Sequence, residues 1–360
     1  MKTSMVVAAI SAALVGSGLL FTHQSSVGVA ATKYCDGPKV TWRQALWGNR
    51  RAVTEGIESI VEKVKEATCG NFDIQLFYAE QLSKSREIPD AIKVGAVDGG
   101  QICASYYPAK MRALGVLDLP FLPVENLDVL KEVFEVMYAH EAFKKALAAW
   151  GAMYYTGTML PQYEYMGRGN PPLKLEDWKG KRVRALGGMG AAMEALGAVP
   201  TTVPAPETYT ALQRGTVDAI GFPFSYTFAS YRLDEIAEWY TSNMAAGSVG
   251  CIFALRLDAY NSLPEQYRTI LEEVKLPSYE VLKEAYTKQD KINLPKWEAN
   301  PKLQKIVFQE EDLAEFRRVG GSPVWEAWVK ENEAHGVPAR ELLDLVMKTA
   351  KEAQERLSKK

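Results

Sequence analysis

Residues 174–223 read as a strand–turn–helix unit followed by a helix–strand unit, and this stretch constrains the fold more than any other part of the chain. Lys181 to Leu186 alternates long polar with apolar side chains, the period of a strand. Gly187-Gly188-Met189-Gly190 follows as a turn, and Ala192, Met193, Ala195 and Leu196 then share one helical face. A second unit starts a helix at Pro206, continues through 207–214 and stops at Gly215. Residues 216–220 form a short apolar strand that ends at Gly221-Phe222-Pro223. A strand, a glycine-rich turn and a helix place free backbone N–H groups beside Arg184. Helix N-termini carry unpaired donors and partial positive charge, so this arrangement suits an anion.

The first part of the chain carries the same alternation. Strands are expected over 38–46, 72–78 and within 95–105, with helices over 52–66 and 88–94 between them. Val53, Ile57, Ile60, Val61 and Val64 give the first helix one apolar face. A βαβαβ run implies an open parallel sheet, and such sheets bind ligands at the carboxyl ends of their strands. Those ends bring forward Trp47, Tyr106 and Tyr107, each of them a pocket wall or a core filler. Further on, 126–150 reads as a long helical region, 152–155 as a strand and 231–240 as a helix. Residues 248–255 read as a strand, and Ser262 as the N-cap of a helix with Pro264 in its first turn. The remainder is mostly helical, broken at 318–323.

Three motifs in order carry a resemblance. They are D-x-K-G-(x)3-R over 177–184, L-G-A-x-P over 196–200 and E-x-Y-x-A-L-Q-x-G-x-V-D over 207–218. With Gln81-Leu82-Ser83, Leu119-Pro120-Phe121 and Leu263-Pro264, they make the chain resemble the substrate-binding proteins of TRAP transporters, the DctP family, over most of its length. The resemblance implies an α/β, two-lobe periplasmic-binding-protein fold with a hinge and a ligand cleft. It implies lobe I over 32–160 plus 249–285, and lobe II over 161–248 plus 286–360 with the C-terminal helices. It implies an extracytoplasmic receptor that captures a small organic carboxylate and delivers it to membrane permease subunits, without catalysis, cofactor or metal.

Arg184 stands where the family grips the ligand carboxylate. Gln162 stands where some members, such as the sialic-acid binders, carry a second Arg, and Phe222 where many carry a polar residue. With Phe224, Trp47 and Tyr106, this predicts a largely aromatic pocket holding one cation. A monocarboxylate with an apolar or aromatic body is therefore the expected ligand. Arg50 and Arg51 are a cationic reserve near the cleft, or else an exposed helix start.

Residues 1–31 have the pattern of a signal peptide. Lys2 precedes an apolar run from Met5 to Phe21, and Val29-Ala30-Ala31 offers a small-residue cleavage site near Ala31. A retained membrane anchor is the alternative. Export to the periplasm permits disulfides. Cys35 and Cys69 fall at the same edge of a βαβ unit and are expected to pair, the alternative being two unpaired thiols, whereas Cys103 and Cys251 read as buried core thiols. A formal charge of −2 lacks the basic excess of a nucleic-acid binder. Nucleophile-elbow, P-loop and dinucleotide motifs are absent, and past residue 31 the only histidines are His140 and His335, on separate helical stretches. A secreted two-lobe hydrolase and a sensor for a signalling partner are the competing functions.

Overall fold

The computed structural model describes residues 33–359, so the expected leader lies outside the described residues. The chain begins with β1 (Val40–Ala45), α1 (Ala52–Ala67), β2 (Phe72–Phe77), α2 (Ile88–Lys93) and β3 (Gly99–Cys103), with both strand pairings parallel. The 126–150 region divides into α3 (Leu127–Ala139) and α4 (Glu141–Ala148). His140 is extended, with ψ 140°, and its Nδ1 accepts from Ala142 N at 3.2 Å, so it ends one helix and caps the next. β4 (Ala152–Gly157) follows.

The middle of the chain builds β5 (Tyr163–Gly167), β6 (Arg182–Arg184), α5 (Gly187–Ala195), β7 (Val199–Thr201), α6 (Thr208–Gln213), β8 (Ala219–Pro223), α7 (Tyr226–Ser230) and β9 (Trp239–Thr241). After it come β10 (Cys251–Arg256), α8 (Leu257–Asn261), α9 (Glu265–Glu298), β11 (Gln304–Ile306), α10 (Glu310–Gly320), α11 (Ser322–Glu333) and α12 (Ala339–Leu357).

These strands form two sheets, in the orders β2-β1-β3-β10-β4 and β11-β9-β5-β8-β6-β7. Each sheet is the core of one lobe. The chain crosses between them through 158–162, through 242–250 and a third time along α9. The 34-residue α9, roughly 50 Å long at 1.5 Å per residue, lies along α1 of the first lobe and reaches α7 of the second. Pro277 and Pro295 interrupt its hydrogen-bond ladder. A boundary at 285/286 therefore falls inside one continuous helix.

Several expectations need correction. Residues 231–240 are not a helix. Arg232 has φ +57°, a short 3-10 turn spans Leu233–Glu235, and Trp239-Tyr240-Thr241 pairs with β5 and β11. The aromatic and β-branched character of that tripeptide suits a pleated surface. Pro264, not Ser262, precedes α9, because Ser262 closes α8. α12 was expected on lobe II. Its buried face, Leu342, Leu343, Val346, Ala350 and Ala353, packs instead on α3 and the 3-10 helix Arg112–Asp118 of lobe I.

The glycines at 187–190 are not an open turn but the first turn of α5. A Cβ on Gly188 would lie 2.7 Å from Pro120 Cδ and 2.9 Å from Asp118 O. These glycines therefore allow close approach to the 118–120 segment. Cys35 and Cys69 are bridged, at the amino ends of β1 and β2. Cys103 and Cys251 are not free thiols: they face each other across the antiparallel β3–β10 ladder and form a second disulfide. Sequence separation hid this pair, 148 residues apart, until the sheet brought it together.

Candidate functional site

A narrow cavity lies between the two sheets. From the first lobe come Trp47 after β1, Arg51 at the start of α1, Gln101 and Cys103 on β3, and Tyr106 just beyond it. From the second come Tyr163 on β5, Arg184 at the end of β6 and Phe222 at the end of β8. Carboxyl ends of parallel strands supply Trp47, Cys103 and Arg184, so the general rule for open α/β sheets holds in both lobes.

Arg184 is 1 % exposed. Its Nε donates to Val203 O at 2.9 Å, Nη1 to Gly221 O at 2.6 Å and Nη2 to Tyr106 Oη at 3.4 Å, and its guanidinium lies 4.5 Å from the centre of the Phe222 ring. These contacts leave two of its five N–H groups unused. Two backbone carbonyls and an aromatic face fix the fork without neutralising it.

Arg51 is 3 % exposed. It donates from Nη1 to Asn49 O at 2.7 Å and from Nη2 to Gln101 Oε1 at 3.0 Å, and stacks 4.5 Å from the Trp47 ring centre. Neither arginine forms an ion pair among the described residues. Arg50, its neighbour, points away and pairs with Glu55 and Glu58. Thus the cationic reserve resolves into one surface residue and one cavity residue. The expectation of a single cation in the pocket is corrected: the cavity carries two, one from each lobe. Burying two unpaired guanidiniums is unfavourable by itself, which favours an anion between them.

Tyr106 and Phe222 line the cavity as expected, with Trp47 and Tyr106 in edge contact at 5.5 Å. Tyr107 is buried beside them but does not line it. Gln162 and Phe224 do not line it either. Gln162 lies one residue before β5, and Tyr163 takes the cavity position, because successive side chains of a strand point to opposite faces. Phe224 follows the end of β8 and packs on Tyr240, Trp297 and Phe228. Burial pushes the Tyr163 phenol well above its ordinary range, and the positive charges of Arg184 and Arg51 act against that shift. Gln101 was also overlooked. The signal available was a lone amide among the small and apolar residues of β3.

The lobes meet around this cavity. Tyr106 Oη accepts from Ala205 N at 3.1 Å, Asn49 Nδ2 donates to Ser230 O at 3.1 Å, Tyr226 Oη to Glu55 Oε1 at 2.7 Å and Arg86 Nη2 to Thr202 O at 2.9 Å. The motif residues Asp177 and Asp218 are structural. Asp177 accepts from Leu173 N and Lys174 N, and Asp218 pairs with Arg182 at 2.5 Å. A larger groove between Asp118, Gly188 and Trp328 contains one cation, Arg112, which is paired with Glu331 at 3.2 Å. No group of three or more His, Cys, Asp or Glu side chains that could hold a metal occurs among the described residues.

Comparison with known proteins points the same way. The profile of bacterial extracellular solute-binding protein family 7, DctP, matches residues 45–332. A monocarboxylate 2-oxoacid-binding periplasmic protein of Nostoc sp. is 27% identical over 247 residues, 65% of this chain and 65% of that one. The C4-dicarboxylate-binding periplasmic protein DctP of Rhodobacter capsulatus is 28% identical over 229 residues, 62% of this chain and 67% of that one. Among solved structures, a TRAP solute-binding protein of Rhodoferax ferrireducens in complex with benzoate superposes with TM-score 0.77 at 18% identity, covering 89% of this chain and 100% of that one.

Proposed function

The chain belongs to family 7 of the bacterial extracellular solute-binding proteins, and from that premise we propose that Arg184 anchors a compact organic acid between the lobes. The family and the fold are those of TRAP transport receptors, which bind small organic acids and work with membrane permease components. What supports the finer assignment is one observation. Arg184 is buried, without an ion-pair partner among the described residues, and held by backbone carbonyls in the wall of a cavity that both lobes line.

A carboxylate suits the free edge of a guanidinium fork, which offers parallel donors that an ammonium does not. The aromatic faces of Trp47, Tyr106 and Phe222 favour an apolar or planar body. The cavity is narrow, which favours a small body. The sequence pointed to a monocarboxylate because it counted one cation. Arg51 weakens that count and favours an acid with a further electronegative group, such as an oxo or hydroxyl oxygen or a second carboxylate. The relatives named above bind 2-oxo monocarboxylates and C4-dicarboxylates, and a benzoate complex is known on this fold, so each of these classes belongs in the test. The receptor acts in the periplasm, where the relatives do, after removal of residues 1–31.

Isothermal titration of the protein with pyruvate, succinate, benzoate and 3-hydroxybenzoate tests the assignment. Arg184→Ala should weaken the tightest of these by about 2–5 kcal/mol, roughly 30- to 4,000-fold, the cost of removing one side of a buried charge pair. Unchanged affinity in a variant with native circular dichroism would remove Arg184 from the ligand site.

A further inference from the structure

The second disulfide is part of the cavity wall. Cys103 and Cys251 both line the space between Arg51 and Arg184 and are 2 % and 1 % exposed. Each also stands at a junction. Cys103 is the last residue of β3, and the 3-10 turn Ala104–Tyr106 that follows it presents Tyr106 to Arg184 and Ala205 of the other lobe. Cys251 opens β10 where the chain returns from the second crossing, and its carbonyl accepts from both Thr158 N at 3.0 Å and Thr158 Oγ1 at 2.9 Å, on the first crossing. The bridge therefore joins the root of the Tyr106 arm to the first two crossing segments. The Cys35–Cys69 bridge, by contrast, lies at the amino ends of β1 and β2, away from the cavity.

We propose that the Cys103–Cys251 disulfide makes acid binding depend on oxidation state: the bridged protein binds, and the dithiol binds more weakly. The inference rests on the reading that this cavity holds the acid. Two thiols must separate to non-bonded distance, about 3.5–4 Å, whereas bonded sulfurs are about 2 Å apart. The flanking ladder pairs Ile252 with Ile102 and is fully buried, so the displacement falls on the cavity and on the Tyr106 turn. The reductant is a dithiol. Its thiolate attacks one sulfur and the protein S–S bond breaks to a mixed disulfide. The second thiolate then closes the reductant to a cyclic disulfide. Two electrons and two protons end on Cys103 and Cys251. An oxidising periplasm holds the bridge closed, so binding competence follows export.

Burial adds a reciprocal effect. A reductant reaches the bridge only when the lobes part, and an acid that favours the closed form slows its reduction by the same linkage.

The experiment uses the mature protein in three forms: oxidised, reduced with dithiothreitol, and Cys103→Ala/Cys251→Val. Cys35→Ala/Cys69→Ala serves as the control. Titration with pyruvate, succinate, benzoate and 3-hydroxybenzoate should show at least about a tenfold loss for the tightest acid in the reduced and Cys103/Cys251 forms, and none in the control. Thiol trapping with mass spectrometry should show 103–251 reduced several-fold more slowly at saturation with that acid. Amide hydrogen exchange over 104–107 should accelerate in the reduced form, a readout that needs no acid. Equal affinity in oxidised and reduced protein, or unchanged exchange over 104–107, overturns the proposal. If no acid binds the oxidised form, the assignment of the cavity fails instead, and exchange over 104–107 still decides whether the bridge holds the arm.

Discussion

Asp118 offers a sharp test of how the crossing segment is held. It is 2 % exposed, its Oδ1 accepts from Gly250 N at 2.6 Å, and its carboxyl abuts Gly187 at the start of α5. Burial raises its pKa from 3.8 to about 7, and the Gly250 hydrogen bond offsets only part of that. Between those values the folded protein holds a proton that the unfolded chain has released. The contribution of this group to stability is therefore fully present below about pH 4 and is lost as pH rises to about 7. At ~1.4 kcal/mol per unit, the full loss is ~4 kcal/mol before relaxation. Asp118→Asn keeps an acceptor for Gly250 N and removes the ionisation. Its size at any one pH includes the fit of the new amide, but the change with pH does not. The variant should gain on wild type by up to ~3 kcal/mol between pH 5 and pH 8. Denaturant unfolding followed by circular dichroism at the two pH values measures this. A difference between variant and wild type that is the same at both would show that folding does not raise the Asp118 pKa.

Two further perturbations address the cavity and the lobe contact. Arg51→Met keeps the packing against Trp47 and removes the donors to Gln101 and Asn49. Acid affinity should fall by about 1.5–3 kcal/mol, the range for a hydrogen bond to a charged group, and calorimetry showing no change would return Arg51 to a purely structural role. Gly188→Ala would put a methyl group 2.7 Å from Pro120 Cδ and 2.9 Å from Asp118 O. It should destabilise the fold by roughly 1–3 kcal/mol, as overpacking does, and an unchanged thermal midpoint would show that the 118–120 segment yields.

The sequence by itself determined most of the local structure. Apolar periods of 2 and 3.6 place β1, α1, β2 and α2 within a residue or two at nearly every end, because those faces are buried whatever the partner. The motifs around Arg184 marked the family and the proposed anchor, and the aromatic residues beside the strand ends marked the cavity-lining Trp47, Tyr106 and Phe222. What the sequence left open depended on direction and on distant partners. Whether Gln162 or Tyr163 faces the cavity is a matter of strand register, which one residue inverts. Arg50 and Arg51 are chemically alike and adjacent in the chain. Only the start of α1 turns one toward Glu58 and the other toward Gln101. α12 shows an apolar stripe in sequence, but the choice of α3 as its partner belongs to the packed lobes. Cys103 and Cys251 became a pair only where β10 returns antiparallel beside β3. A second buried cation and a disulfide in the cavity wall are therefore properties of the tertiary structure, because both arise from groups that the chain keeps far apart and the two sheets bring together.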